Sequence, residues 1–286
     1  MSVATAAASA PVSAAGHASG SATRAVVAMR DVTKVFSNGT VALSHMTLTV
    51  KTGEFVSLLG PSGCGKSTAL RIIAGLGRPS SGTIGWPASK IDSRGLPEGD
   101  IGFVFQEPTL MPWQTVFGNV HLPLKLAGVS KSAARERIEE TLRLVGLDDF
   151  RHAYPRELSG GMKMRVSIAR ALVTRPKLLL MDEPFAALDE ITRQKLNDDV
   201  RRLWLQSGVT VIFVTHSVFE SAYLSSRIVV MRARPGQVYK EIEIGRREDN
   251  GEGDSHRLSE AYRLTCAQVS DALQDAIRQG GGVHHG

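Results

Sequence analysis

The sequence predicts an α/β domain with a largely parallel sheet, and two observations carry this prediction. First, short apolar runs alternate with segments of helical periodicity, and nearly continuous apolar runs suit strands that are covered on both faces. Second, a glycine-rich loop directly follows one of these runs and leads into an apolar-rich segment, which is typical of a strand–loop–helix unit. The runs interpreted as strands cover residues 54–60, 101–106, 177–183, 209–216 and 227–233.

Composition indicates a globular protein in a reducing environment. The 286 residues are 42% hydrophobic and 22% charged, which argues against global disorder and against a fibrous repeat. The longest apolar runs, such as Leu178 to Met181, are strand-sized, so we expect a membrane role only through a partner. Cys64 and Cys266 lie far apart in sequence and do not form a disulfide-framework pattern, which favours a cytosolic setting.

The net charge of +6 leaves two interpretations open. Basic residues can form a nucleic-acid footprint, or they can belong to an ordinary solvated surface. Here they are scattered, and no run of five or six occurs. We therefore favour the solvated surface and expect no direct nucleic-acid partner.

Three regions are expected along the chain. Residues 1–28 are rich in Ala, Ser, Gly and Thr and lack aromatic residues, so we predict a disordered tail that is not a secretion signal. Residues 29–245 form the main domain, in which a helix over 130–147 is predicted from its apolar face and from Gly146 as a stop. Residues 246–286 are predicted to hold a C-terminal helix and a flexible Gly/His tail. The apolar positions assigned to that helix are Leu258, Tyr262, Val269, Leu273 and Ile277.

The loop GPSGCGKST carries the clearest chemistry. It matches the pattern G-x-x-x-x-G-K-[ST], in which backbone N–H groups and a helix N-terminus surround phosphates. Lys66 adds a cation for the terminal phosphates, and the hydroxyl of Ser67 is a ligand for Mg²⁺. The loop comprises Gly60, Pro61, Ser62, Gly63, Cys64, Gly65, Lys66, Ser67 and Thr68.

Two further segments complete a candidate phosphate site. The apolar run LLLMDE delivers Asp182 to the end of a strand, where a carboxylate reaches a metal ion through water. The next residue, Glu183, is placed to polarise an attacking water as a general base. Ser159, Gly160 and Gly161 stand at the start of a predicted helix and form an anion cradle, although the same residues suit an ordinary helix start.

Together these motifs resemble the ATP-binding subunit of ABC transporters. The resemblance rests on GPSGCGKST, Gln106 after a strand, LSGGM, LLLMDEP, Asp189 in ALD and His216 at a strand end, in the family's order. It implies a P-loop NTPase fold with a mostly parallel core sheet, an antiparallel β part and a helical subdomain inserted over about 107–160. It also implies ATP and Mg²⁺ as cofactors. Met162 and Met164 stand where many relatives have Gln.

The resemblance also assigns roles to individual residues. ATP would be held between the Lys66 loop of one chain and residues 159–161 of a second copy, so a homodimer is implied. Gln106 would sense Mg²⁺ and couple to the membrane subunit, Asp189 would contact the opposite chain, and His216 would steady the γ-phosphate. Phe36 is similar to the aromatic on which adenine stacks, with an ordinary core position as the alternative.

Finer hints concern the transported solute. Residues 106–120, 182–193 and 229–238 resemble importers of nitrate, sulfonate, taurine and bicarbonate, which implies a small anion or a related small organic compound as the solute. The implied partners are transmembrane permease subunits and a periplasmic or extracellular substrate-binding protein, with the chain at the cytoplasmic face of the membrane. Trp113 would lie where a permease helix docks, would pack within the helical subdomain, or would do both. The alternative function is a soluble ABC-type ATPase that acts on ribosomes or DNA.

Overall fold

The chain forms two β-sheets with helices around the larger one. The structure, a computed structural model, describes residues 24–93, 95–245 and 253–280. The strands in the described part are β1 Ala25–Val35, β2 Val41–Lys51, β3 Phe55–Leu59, β4 Ser81–Gly85, β5 Ile101–Val104, β6 Leu178–Asp182, β7 Thr210–Thr215, β8 Arg227–Arg232 and β9 Gln237–Glu243. The α-helices there are α1 Lys66–Ile73, α2 Val116–Leu126, α3 Lys131–Leu144, α4 Gly160–Leu172, α5 Glu190–Ser207, α6 Val218–Leu224, α7 Gly253–Arg257 and α8 Glu260–Gly280.

The larger sheet places several strand ends at one edge. Its order is β5-β6-β7-β3-β8-β9, and every pair except β8–β9 is parallel. In β3 and β7 every residue is buried, which is what coverage on both faces requires. The register sets Leu59 of β3 opposite Thr215 of β7, and Asp182 of β6 opposite Val214. The segments that follow β3, β6 and β7 therefore emerge side by side.

The smaller sheet is antiparallel, with the order β2-β1-β4. Its first strand corrects the predicted boundary of the N-terminal tail, because Ala25 pairs with Lys51 and both Val26 and Val27 are buried. Two adjacent valines bury enough apolar surface to order this end of the predicted tail. The remainder of that prediction, residues 1–23, lies outside the described residues.

Besides a smaller cluster between α8 and the β8–β9 pair, two hydrophobic cores flank the larger sheet. One joins β3, β5, β6 and β7 to α2–α6, and the other joins the opposite sheet face to α1 and to the smaller sheet. Trp204 of α5 lies at the centre of the first core, edge-on to Phe55 with ring centroids 5.6 Å apart. Its indole N–H donates to the Gly53 carbonyl at 3.1 Å, so the buried polar atom has a partner.

The helical segment after β5 folds as its sequence pattern predicts. The predicted helix over 130–147 is α3, which buries Ala134, Ile138 and Leu142, and the Ser130 side chain caps its start. Thr115 caps α2 by the same type of hydrogen bond to a backbone N–H. Short 3₁₀ turns over Asp148–Phe150 and Pro155–Glu157 then lead into α4.

The C-terminal helix is present, but part of its predicted apolar face is wrong. Helix α8 packs on β8 and β9 through Val269, Ala272 and Ala276. Leu258 and Ile277, which were assigned to the buried face, are exposed. Leu258 precedes α8, and small alanines rather than large apolar residues allow this helix to approach the sheet closely. Residues 246–252 and 281–286 of the predicted region lie outside the described residues.

Trp204→Ala tests the first core. Removing a fully buried indole should lower the free energy of unfolding by about 3–5 kcal/mol, because it leaves a cavity and an unpaired Gly53 carbonyl. Urea denaturation measures this change. Trp113→Ala is the matched control, since the Trp113 side chain is 70% exposed and its loss should cost only about 0.5 kcal/mol. Equal costs for the two variants would contradict the assignment of the core.

Candidate nucleotide site

The loop Gly60–Thr68 joins β3 to α1 and is held close to its neighbours. A Cβ atom on Gly60 would lie 2.7 Å from the Met231 carbonyl oxygen, and one on Gly65 would lie 2.5 Å from that of Ala42. Gly65 also has a φ of +87°, a conformation that L-residues with side chains rarely adopt. Glycine is therefore required at both positions for the loop to turn back over the sheet edge.

Lys66 is the buried cation of this loop. Its side chain is only 4% exposed, and Nζ donates to the carbonyl oxygens of Gly60 at 2.8 Å and Pro61 at 3.1 Å. The same Nζ lies 3.8 Å from Oε1 of Glu183. The charge is thus fixed at the loop by carbonyl acceptors, which phosphate oxygens can replace.

Ser67 and Asp182 are brought together from segments far apart in sequence. The Ser67 hydroxyl donates to Oδ1 of Asp182 at 2.7 Å. Burial raises the pKa of Asp182, and the hydrogen bond from Ser67 opposes this effect. A hydroxyl and a carboxylate are the hard oxygen ligands that Mg²⁺ uses together with water and substrate phosphates. Within the described residues no group of three His, Cys, Asp or Glu side chains could hold a metal ion.

Glu183 and His216 form a second pair beside this one. Nδ1 of His216 lies 3.6 Å from Oε2 of Glu183. Glu183 immediately follows β6, and His216 immediately follows β7. Glu183 has a φ of +46°, and its backbone N–H donates to the Val214 carbonyl at 3.1 Å. A non-glycine residue in this conformation is strained, and such strain is concentrated at functional sites.

Lys66, Ser67 and Glu183 border one open cavity of about 460 Å³, whereas the predicted site residues Gly60, Pro61, Asp182 and His216 lie outside its lining. Phe36, in the turn after β1, forms its outer end and is 45% exposed, so the alternative of a core position is wrong. Nζ of Lys34 lies 5.5 Å from the centre of the Phe36 ring. The full lining is Phe36, Thr40, Val41, Ala42, Ser62, Gly63, Cys64, Gly65, Lys66, Ser67, Thr68, Glu183 and Arg234.

The serine–glycine motif lies outside that cavity lining. The Ser159 side chain caps α4 by accepting from Met162 N–H at 3.3 Å, and both Ser159 and Gly160 are exposed. Gly161 is a packing position, because a Cβ there would lie 2.6 Å from Cγ2 of Thr192. Met164, where relatives are expected to have Gln, is buried in the core that joins the larger sheet to α2–α6.

Asp189 lies at the start of α5, next to the serine–glycine motif and outside the cavity lining. Oδ1 accepts from the backbone N–H of Thr192 at 2.9 Å, and the hydrogen bonds from Thr192 hold the pKa of Asp189 below its usual range. Its carboxylate is fully exposed. The exposed Ser159 and Gly160 at the start of α4 and the exposed Asp189 at the start of α5 therefore lie near each other.

Gln106 and Trp113 lie on the segment after β5. Gln106 is exposed two residues past the strand, and in the described part of the chain it makes no hydrogen bond to Ser67, Asp182 or Glu183. Trp113 is 70% exposed, so most of its side chain is accessible to solvent. The segment therefore presents polar and aromatic groups to solvent.

Sequence reasoning missed four residues of the cavity lining, namely Thr40, Val41, Ala42 and Arg234. The first three belong to the turn and strand after Phe36, where nothing in the local pattern suggests a ligand. Arg234 belongs to the segment 229–238, which entered the sequence analysis only as a hint of the subfamily.

Comparison with known proteins identifies the family. The family model described as ABC transporter matches residues 43–186. An uncharacterized ABC transporter ATP-binding protein of Methanocaldococcus jannaschii is 46% identical over 219 residues, which cover 76% of this chain and 81% of the relative. This chain belongs to the ABC transporter ATP-binding proteins. The predicted family is therefore confirmed.

Other relatives of this ABC protein carry more specific names. The aliphatic sulfonates import ATP-binding protein SsuB of Bacillus cereus is 44% identical over 220 residues, covering 76% of the chain and 85% of the relative. The nitrate import ATP-binding protein NrtD of Synechocystis sp. is 44% identical over 217 residues, which cover 75% of this chain and 80% of the relative.

Solved structures confirm the predicted fold class of the ABC cassette. The cassette cbiO1 of Clostridium perfringens matches with a TM-score of 0.70 and 26% identity, over 88% of this chain and 99% of that one. A cassette solved as a dimer with ADP and phosphate in a post-hydrolysis state matches with a TM-score of 0.66 and 35% identity. The match covers 77% of this chain and 100% of that one. The protein is accordingly an ATP-binding ABC subunit whose ATP hydrolysis is coupled to transport. Within residues 24–93, 95–245 and 253–280, no helix combines the length and hydropathy that a membrane crossing requires.

Ser67→Ala tests the hydroxyl–carboxylate pair. Loss of the hydroxyl removes a ligand for Mg²⁺ but leaves the Lys66 contacts, so ATP affinity in Mg²⁺ should fall roughly tenfold while affinity in EDTA stays near the wild-type value. Calorimetric titration under both conditions measures this difference. Ser67→Thr is the control, since it retains the hydroxyl. An equal loss with and without Mg²⁺ would contradict the assignment.

Proposed function

We propose that this chain powers the import of a small anion, of the nitrate, sulfonate, taurine or bicarbonate kind, through a partner permease. The observation that carries the mechanism is the division of the site. The cavity of one chain contains the Lys66 loop, whereas Ser159, Gly160, Gly161 and Asp189 lie outside its lining. Two copies arranged head to tail would supply both halves to each ATP, and the dimeric cassettes among the structural relatives support this arrangement.

In the proposed complex each charged residue has a distinct task. Lys66 and the loop N–H groups hold the phosphates, while Ser67 and Asp182 hold Mg²⁺, which neutralises phosphate charge when bound. Glu183 takes a proton from the attacking water, and its distance of 3.6 Å from His216 lets that imidazole steady the same water and the γ-phosphate. Phe36 stacks on the adenine ring.

The second copy adds the remaining contacts. The exposed N-terminus of α4, with Ser159 and the two glycines, donates backbone N–H groups to the γ-phosphate. Asp189 contacts the opposite chain, and Gln106 reaches Mg²⁺ only after the segment that follows β5 moves inward. ATP binding then favours the closed dimer and hydrolysis reopens it, because the closed form alone makes all of these contacts.

The proposed membrane partner docks on the segment after β5. Trp113 and Phe105 are exposed there, and a partner's helix would cover them. The chain would lie at the cytoplasmic face of the membrane, beside two permease subunits and in one system with an external substrate-binding protein. The names of the sulfonate and nitrate import relatives support a small anion as the solute.

The domain division is proposed on the same basis. Residues 29–245 form the ATPase unit, and the helical elements over about 107–160 form its permease-facing part. Residues 246–286 contribute α7 and α8, which pack against the sheet and α6. The alternative of a soluble ATPase for ribosomes or DNA has less support, since the relatives are transporter ATP-binding proteins and the positive charge is scattered.

Glu183→Gln tests the sandwich mechanism. The amide keeps the shape of the site but cannot accept the proton of water, so ATP binding should persist while steady-state hydrolysis falls by about 10²-fold or more. A closed dimer should accumulate in Mg-ATP, as measured by light scattering. A variant that binds ATP and stays monomeric would contradict the proposed dimer.

Trp113→Glu tests the permease surface. A carboxylate at this exposed position should leave the ATPase of the isolated chain unchanged and prevent recovery of a polytopic subunit from detergent-solubilised membranes, since an apolar contact becomes charged. Mass spectrometry identifies the recovered partners. Leu258→Glu is the control, because Leu258 is an exposed apolar residue between α7 and α8, away from the segment after β5. Recovery of ribosomal or DNA-bound proteins by the wild-type chain would contradict the transporter function.

A further inference from the structure

The turn between β8 and β9 is fixed against the nucleotide loop. The Gly236 N–H donates to the Ala42 carbonyl at 3.2 Å, and the Gly236 carbonyl accepts from the Ser44 N–H at 2.9 Å. A Cβ atom on Gly236 would lie 2.3 Å from the Cys64 carbonyl oxygen, so only glycine fits. The turn therefore cannot move away from the cavity without breaking its contacts with both β2 and the loop.

Arg234 projects from this fixed turn into the lining of the cavity. Its side chain is exposed, and it makes no hydrogen bond or ion pair with any residue in the described ranges. The neighbouring arginine differs, because the guanidinium of Arg232 donates to Oε1 of Gln237 at 2.9 Å. An arginine without a protein partner at the mouth of an anion site is available to the ligand.

The backbone of Arg234 is strained as well. Its φ is +60°, the left-handed region that favours glycine, and a bulky residue there costs about 1 kcal/mol or more. A glycine or asparagine would satisfy the turn at lower cost. The turn thus retains an arginine where its backbone geometry favours a smaller residue, and the strained residue is the one that borders the cavity.

Charge in the cavity favours a second cation. The residues of its lining that are charged at neutral pH are Lys66, Arg234 and Glu183. Lys66 alone cannot balance the phosphate chain of ATP, which remains net negative after Mg²⁺ binds. Arginine suits this role because its planar guanidinium donates two parallel hydrogen bonds to phosphate oxygens.

We propose that Arg234 is a further nucleotide-binding residue, which donates to the phosphate chain of ATP in the same chain that supplies Lys66. This inference rests on the proposed nucleotide site and deepens it. Arg234 would approach from the β8–β9 turn, on the solvent side of the cavity, while Lys66 lies buried at its floor. The nucleotide would then be held between the exposed guanidinium of Arg234 on the β8–β9 turn and the buried ammonium group of Lys66 on the loop.

The test compares nucleotide affinities of full-length variants. Arg234→Gln should weaken ATP binding by roughly tenfold, ADP binding less, and AMP binding by less than about twofold, because the lost contact is to phosphate charge. Arg234→Lys should recover part of the loss. Arg232→Gln is the matched control: it removes the same charge from the adjacent strand end and should leave all three affinities unchanged.

Arg234→Gly separates the side chain from the fold. Glycine accepts the φ of this position without strain, so the variant should unfold at a urea concentration no lower than the wild type while binding ATP as weakly as Arg234→Gln. Calorimetric titration at two salt concentrations should show a smaller salt dependence for both variants than for the wild type.

Three results would overturn the proposal. If Arg234→Gln bound ATP with wild-type affinity, the Arg234 side chain would be solvated and would not contact the nucleotide. If Arg232→Gln lost as much ATP affinity as Arg234→Gln, the effect would come from the net charge of the protein and not from a contact of Arg234. Equal losses for ATP, ADP and AMP would assign Arg234 to the base or ribose instead. Lys66→Ala distinguishes this failure from a failure of the site itself, since unchanged ATP affinity in that variant would contradict the nucleotide site as a whole.

Discussion

The close approach of the loop Gly60–Thr68 to the strands beside it is the constraint on which the functional arrangement depends. Gly60 lies against Met231 of β8 and Gly65 lies against Ala42 of β2, so a side chain at either glycine would push the loop off the sheet edge. This packing directs Lys66 back over the loop and orients Ser67 toward Asp182. The positions of the charged groups thus follow from backbone contacts formed before any ligand binds, which lowers the cost of ordering the site.

The parallel sheet converts this local packing into a catalytic arrangement. Because β3, β6 and β7 are neighbours with the same direction, the loop, Glu183 and His216 meet at one edge although they are far apart in sequence. The serine–glycine motif begins α4, outside this cavity, and is exposed. In the proposed dimer this separation has a function, because ATP hydrolysis then requires closure of the dimer. Closure of the dimer in turn couples ATP hydrolysis to a conformational change of the permease.

The sequence predicted those parts of the molecule in which the local pattern determines the structure. Apolar runs identified β3, β5, β6, β7 and β8, and Ser67 of the phosphate-loop pattern lies within hydrogen-bond distance of Asp182. The sequence-based prediction was wrong where contacts between distant segments determine the structure. Val26 and Val27 are ordered by pairing with β2, and α8 contacts the sheet through Val269, Ala272 and Ala276 while Ile277 is exposed. Arg234 could not be predicted as part of the cavity, because only the contacts of Gly236 with Ala42 and Cys64 bring its turn there.

The dependence of ATPase rate on protein concentration tests most directly the claim that the site is divided between two chains. If each ATP needs residues from both copies, the rate per chain at saturating Mg-ATP should rise with concentration and level off once dimers predominate. Mixing Lys66→Ala chains with Ser159→Arg chains should then restore part of the activity that each lacks alone, because one of the two sites in a mixed dimer is intact. A rate per chain that is constant over a wide dilution range down to monomer, with no recovery on mixing, would contradict the account.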